Sequence, residues 1–183
     1  MQSRIPGTYQ EWLDLLKRMQ KQPVFQEELL YLEQGKIMAE AYLPDRFQTH
    51  VTETVDVMLR RSVKRYDRAR KEALEAGEID SIPFLCIRLK REMEHCYFYR
   101  HIRFLESEFV ERLDQELSRQ ILLFWEHEAK EFRRLGEETL QGDVEELYYF
   151  LKRMQRQNVG EDCGKARMPQ GKDTIPQRRW EIT

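Results

Sequence analysis

Apolar residues return every three or four positions through most of this chain, and nowhere do they alternate as a half-buried strand requires. Thr8 followed by Glu11 makes a capping-box pair, in which each side chain satisfies a free backbone N–H at a helix start. The helix it opens carries Trp12, Leu13, Leu16 and Met19 on one face and ends before Pro23. Pro23 suits the first turn of a second helix, where its missing N–H costs nothing, and Leu29, Leu30 and Leu32 carry that helix to Gly35. A short segment with Ile37, Met38, Ala41 and Tyr42 ends at Pro44. From Pro44 or Asp45 the pattern predicts one long helix to Ala76, about 48 Å at roughly 1.5 Å per residue. Gly77 is placed to cap it in the left-handed conformation.

Phe84 to Leu135 contains neither Gly nor Pro, and so long a run predicts a break, placed at Glu106–Ser107. Its first half is apolar on every side, through Leu85, Ile87, Leu89, Met93, Tyr97, Phe98, Ile102, Phe104 and Leu105. A helix without a polar face is expected to be buried all round. Its second half is amphipathic, with Phe109, Leu113, Leu117, Ile121, Phe124 and Phe132 on one side. Gly136 and Gly142 flank a short acidic connection, after which Asp143 and Glu146 offer a second capping box. Val144, Leu147, Tyr148, Leu151 and Met154 form the apolar face of that last helix. Beyond Asn158 the chain is poor in apolar residues and rich in Gly, Pro and charge, the composition of a flexible tail, although Ile175 and Trp180 offer local anchors. The expectation is an all-α protein: a single domain over 1–157, an irregular bundle of five or six helices, and a tail over 158–183.

Residues 8–22 resemble residues 143–157: each has a cap, an acid three residues later, an apolar middle and a basic end. Compensation of the helix dipole by acid first and base last accounts for the likeness. Equivalent, neighbouring places in the fold are the alternative.

Composition narrows the function classes. The 183 residues hold 31 Lys and Arg against 33 Asp and Glu, a net charge of −2, so affinity for nucleic acid or membrane has to come from a local patch. No apolar stretch approaches the ~20 residues of a membrane span, and the N-terminus lacks the apolar segment of a secretory signal. Three cysteines are an odd number, and Cys86 and Cys96 stand about 15 Å apart along one helix, too far for a bridge. Reduced thiols and a cytoplasmic location are the expectation.

Catalytic and metal chemistry find little support. Glu92-x-x-His95 is one half of a di-iron pattern, and Phe47, Phe98 and Phe124 stand three residues before the remaining histidines. His127-Glu128 lacks the second histidine of a zincin, and no phosphate loop or nucleophile elbow is present. Cys86 and Cys96 lie among apolar residues, and Cys163 stands near Lys165 and Arg167 in the tail. No catalytic residue, metal, cofactor or small-molecule substrate is expected, and most carboxylates read as solvated faces.

One arc of charge is the exception. On a wheel of about 100° per residue, Arg60, Arg61, Lys64, Arg65, Arg68 and Lys71 fall within about 140°. Val51, Val55, Met58, Ser62, Tyr66, Ala69 and Ala73 gather opposite. Such a row can follow a phosphate backbone or meet an acidic protein, but its opposing face has too few large apolar groups for a membrane helix. An acidic segment, Glu137, Glu138, Asp143, Glu145 and Glu146, would neutralise the row if the bundle folded one across the other. Tyr97, Phe98 and Tyr99 cover three faces of their helix, as a central helix or a subunit interface requires. The sequence therefore supports a non-catalytic interaction protein, an adaptor or small subunit that meets a protein partner or its own copy. A nucleic-acid-binding accessory protein using the basic row is the alternative.

Overall fold

The computed structural model describes residues 5–22, 26–37 and 43–160. Among these residues the fold is all α: helices α1 (Tyr9–Lys21), α2 (Gln26–Gln34), α3 (Pro44–Ala76), α4 (Ile82–His95), α5 (Ser107–Leu135) and α6 (Glu138–Gly160). Short 3-10 helices at Ile79–Ser81 and Cys96–His101 join α3 to α4 and α4 to α5, and no strand is present among the described residues.

Local chemistry sets most boundaries. The Thr8 hydroxyl accepts from the Glu11 N–H, while the Glu11 carboxylate accepts from the N–H groups of Gly7 and Thr8. Pro44 stands in the first turn of α3, and Gly77 closes it at φ 73°. That left-handed conformation is one most side chains resist. Gly136 ends α5 in the same way at φ 77°. The break predicted at Glu106–Ser107 is where α5 begins, after the 3-10 helix and an extended step at Ile102.

Two helical hairpins carry the core. α3 and α4 run antiparallel across the Gly77 turn, and α5 and α6 across the Gly136 turn. α1 lies along the first half of α3, with Trp12, Leu16 and Met19 buried. The α3 residues Val51, Val55, Met58, Ser62, Tyr66 and Ala73 form the buried side that the wheel predicts, with Ala69 only half-buried, and Phe47, Thr54 and Leu59 join them. At the N-terminal end Trp12, Phe47 and Phe104 pack edge to face or tilted, with centroids 5.1–6.0 Å apart. Gly35 sits against this cluster so closely that a β-carbon would overlap the Trp12 ring. The Trp12 indole N–H donates to the Lys36 carbonyl at 3.2 Å.

Two expectations are corrected. The segment from Phe84 is not buried all round: Phe84 is 73% and Ile87 50% exposed. Only the row Ile82, Cys86, Leu89 and Met93 is buried on α4, because this helix packs against the bundle from one side. The last helix begins at Glu138 rather than at a box on Asp143. Gly142 is carried inside it, since Leu140 and Val144 on either side are both buried, and that burial outweighs the roughly 1 kcal/mol cost of a helical glycine. The two similar segments do not take neighbouring places, which sets aside the alternative to convergence: α1 packs along α3 and α6 along α5. α6 continues to Gly160, past the tail boundary, and the remaining tail with Cys163, Ile175 and Trp180 lies outside the described residues. So do Pro23 and the segment 38–42.

Candidate functional site: the outer face of the α3–α4 hairpin

The basic row lies on one side of α3 as the wheel predicts, but its six members have different occupations. Arg61 is turned inward. It donates to the carbonyls of Met19 (3.3 Å), Gln20 (2.7 Å) and Gln22 (3.2 Å), the free acceptors at the end of α1. Partial burial there, with Arg65 close by, lowers its pKa from the usual arginine value. Arg61 is thus a fastening between α1 and α3. Arg65 donates to Glu92 of α4 at 2.7 Å. Arg60 pairs with Asp56 at 3.4 Å and Lys71 with Glu75 at 3.8 Å, both one turn away and well exposed. Lys64 and Arg68 are exposed and form no ion pair among the described residues.

The acidic segment does not cross the row. Glu145 pairs instead with Arg133 of α5 at 2.8 Å, and α6 packs along α5 and against α4. What covers the row is the end of α1 over Arg61 and Glu92 over Arg65.

α4 adds a second set of groups to this surface. Phe84, Ile87, Arg88 and Arg91 follow the i, i+3, i+4, i+7 spacing of one helical face, and all four are exposed. Between the helices lies a cleft of about 170 Å³, floored by Ala69, Leu85 and Leu89 and rimmed by Arg65, Arg88 and Glu92. The Glu92 carboxylate stands between two guanidiniums, 2.7 Å from Arg65 and 3.4 Å from Nε of Arg88. Among the described residues no three His, Cys, Asp or Glu side chains converge as metal ligands.

Tyr97, Phe98 and Tyr99 lie on the 3-10 helix, with Phe98 and Tyr99 buried. The Tyr99 hydroxyl donates to Asp114 at 2.5 Å, and that of Tyr97 meets Ser118 at 2.9 Å. Arg100 bridges them, over the Tyr97 ring at 4.1 Å and paired with Asp114 at 2.9 Å. Tyr97 and Tyr99 thus join the 3-10 helix to α5.

No family model, curated protein or solved structure matches the chain. The functional reading therefore rests on its own geometry. Among the described residues no helix is long and apolar enough to cross a membrane.

A buried polar cluster lies behind the cleft. Glu128 of α5 accepts from Arg70 at 2.8 and 3.1 Å and from the Tyr66 hydroxyl at 2.9 Å. The Cys86 thiol lies 3.5 Å from that hydroxyl. Desolvation raises the carboxyl of Glu128 above its ordinary pKa, against the opposing pull of Arg70 and Tyr66. Burial also raises the Tyr66 phenol, and it pushes the Cys86 thiol up to about 11. A reactive thiol needs the opposite shift, and the hydrogen bonds of the cluster join α3 to α4 and α5.

Sequence reasoning missed Phe84, Ile87, Arg88, Arg91 and Glu92 as a surface. The signal was present: Ile82, Cys86, Leu89 and Met93 define an inner row, and a wheel centred on them leaves Phe84 and Ile87 outside.

Proposed function

We propose that this protein is a non-catalytic helical interaction protein, an adaptor or small subunit, whose contact surface is the outer face of the α3–α4 hairpin. The observation that carries this reading is Phe84, 73% exposed on a rigid helix, with Ile87 beside it and guanidiniums one turn away. A large aromatic anchor beside arginines is the composition in which protein interfaces concentrate their binding energy. The free thiols of Cys86 and Cys96 accord with the reducing, cytoplasmic compartment expected from the cysteine pattern.

The test compares wild type with a Phe84→Ser/Ile87→Ser variant by sedimentation and by co-purification. A stoichiometric complex with a second copy or with another protein, lost in the variant, is expected. A monomer without a stoichiometric partner in both cases overturns the reading.

Exposed Lys64 and Arg68 favour a second reading, a nucleic-acid-binding accessory protein. With Arg61 and Arg65 held by protein acceptors, about two to four phosphate contacts remain, for a slope of log K on log salt of about −2 to −3.5 on duplex DNA. Equal affinity after Lys64→Glu/Arg68→Glu overturns it.

A further inference from the structure

The hairpin face carries a specific charge and a specific gap, and together they define what fits. Of the seven Lys and Arg between residues 60 and 75, Arg61 and Arg70 are turned to other partners, which leaves Arg60, Lys64, Arg65, Arg68 and Lys71 exposed on α3 beside Asp67, Glu72 and Glu75, and Arg88 and Arg91 exposed on α4, in a chain whose net charge is −2. The surplus surrounds apolar surface: Phe84 is exposed on the outer side of α4, and Ala69, Leu85 and Leu89 line the cleft. The one carboxylate at the rim, Glu92, occupies the position between Arg65 and Arg88 where an incoming anion gains most. Its pairs are partly solvated, with Arg65 41% and Arg88 69% exposed, so exchanging one carboxylate for another costs little.

We infer that the partner is an acidic amphipathic protein helix, whose apolar face packs on Phe84 and the cleft and whose carboxylate takes the place of Glu92 between Arg65 and Arg88. This rests on the interaction reading above and gives it an occupant. Glu92 is then an internal stand-in that keeps the two guanidiniums aimed at the cleft until the partner arrives. A helix is the natural form of the occupant, because a shallow groove between two helices receives a third by its i, i+3, i+4 and i+7 residues. Nucleic acid fits less well: Phe84 is an exposed apolar anchor on the outer side of α4, and Glu92 lines the cleft with the cations.

The experiment uses the full chain and a fluorescent amphipathic helix built of Leu and Glu. The controls are a twin with Lys for every Glu, a duplex DNA and a single-stranded DNA. The Leu/Glu helix is expected to bind with an affinity that falls as salt is raised, and the Lys twin is expected not to bind. Phe84→Ser and Arg88→Glu should each weaken binding about tenfold or more, with the helical circular-dichroism signal unchanged. Glu92→Gln should strengthen it about three- to tenfold, because the competing carboxylate is gone. A purely structural Glu92 gives the opposite sign. Equal binding of both peptides, no binding of either, or weakened binding in Glu92→Gln overturns the inference. Tighter binding of DNA, dependent on Arg65 and Arg88, overturns it in favour of nucleic acid. If the peptides fail while a Phe84-dependent protein complex persists, the interaction reading stands and only the acidic occupant falls.

Discussion

Arg65 and Arg70 stand little more than a turn apart on α3, and each reaches a glutamate on another helix. The distances are nearly equal: 2.7 Å to Glu92 and 2.8 Å to Glu128. Their surroundings are not. The first pair is 41% and 20% exposed, the second 20% and 3%. Water screens the first pair and competes for its partners, so it can be made and remade at little cost. In the second the Glu128 carboxylate is shut in with the Tyr66 hydroxyl, and each partner depends on the other for most of its compensation. The same contact serves as an adjustable clasp in one place and as a lock between α3 and α5 in the other.

Breaking the lock gives the largest effect. Glu128→Ala is expected to lower stability by about 3–5 kcal/mol, seen as a lower urea midpoint. A loss below about 1 kcal/mol would show that Arg70 finds water instead. Arg61→Ala comes next. It frees the carbonyls at the end of α1, and a loss of about 1–2 kcal/mol is expected. The specific sign would be faster amide exchange along α1, with α5 unchanged.

A smaller effect separates the two glutamates by pH. Burial raises the Glu128 carboxyl in the folded state. A group raised in this way contributes its full stability below the unfolded pKa of about 4.3, and that contribution is lost as pH rises through the folded value. The stability of wild type relative to Glu128→Gln should therefore be greater near pH 4 than near pH 7. An unchanged or reversed difference in paired urea titrations would contradict the burial of that charge. The smallest effect belongs to the clasp. Glu92→Gln should cost less than about 1 kcal/mol, and the cost should fade in high salt. A salt-insensitive loss as large as that of Glu128→Ala would erase the distinction.

Features legible in the sequence are those decided within a turn or two. Gly77, the Thr8–Glu11 box and the inward row of α3 follow from local geometry, and the structure has them where the pattern puts them. The break at Glu106–Ser107 was legible from length alone. Partnership across the bundle was not. Glu128 sits in a stretch that reads as a solvated charged face, His127-Glu128-Ala129-Lys130-Glu131, and only the approach of Arg70 makes its burial tolerable. Likewise nothing in the row from Arg60 to Lys71 says that Arg61 reaches back to carbonyls of α1 while Lys64 points away. Gly142 misled in the other direction. A helix-breaking residue was overruled by Leu140 and Val144, whose burial is a fact of tertiary packing.

Cys86 and Cys96 lie on the inner side of the hairpin and its 3-10 extension, with thiols pushed up to about 11 and about 12 by burial. A thiol reagent attacks only a solvent-exposed thiolate, so while the bundle is closed both are chemically silent. Each modification then records one moment at which α4 has lifted away. In a Cys163→Ser background the labelling rate becomes a clock for that opening. A partner seated on the outer face of α4 would slow the clock without touching either sulfur.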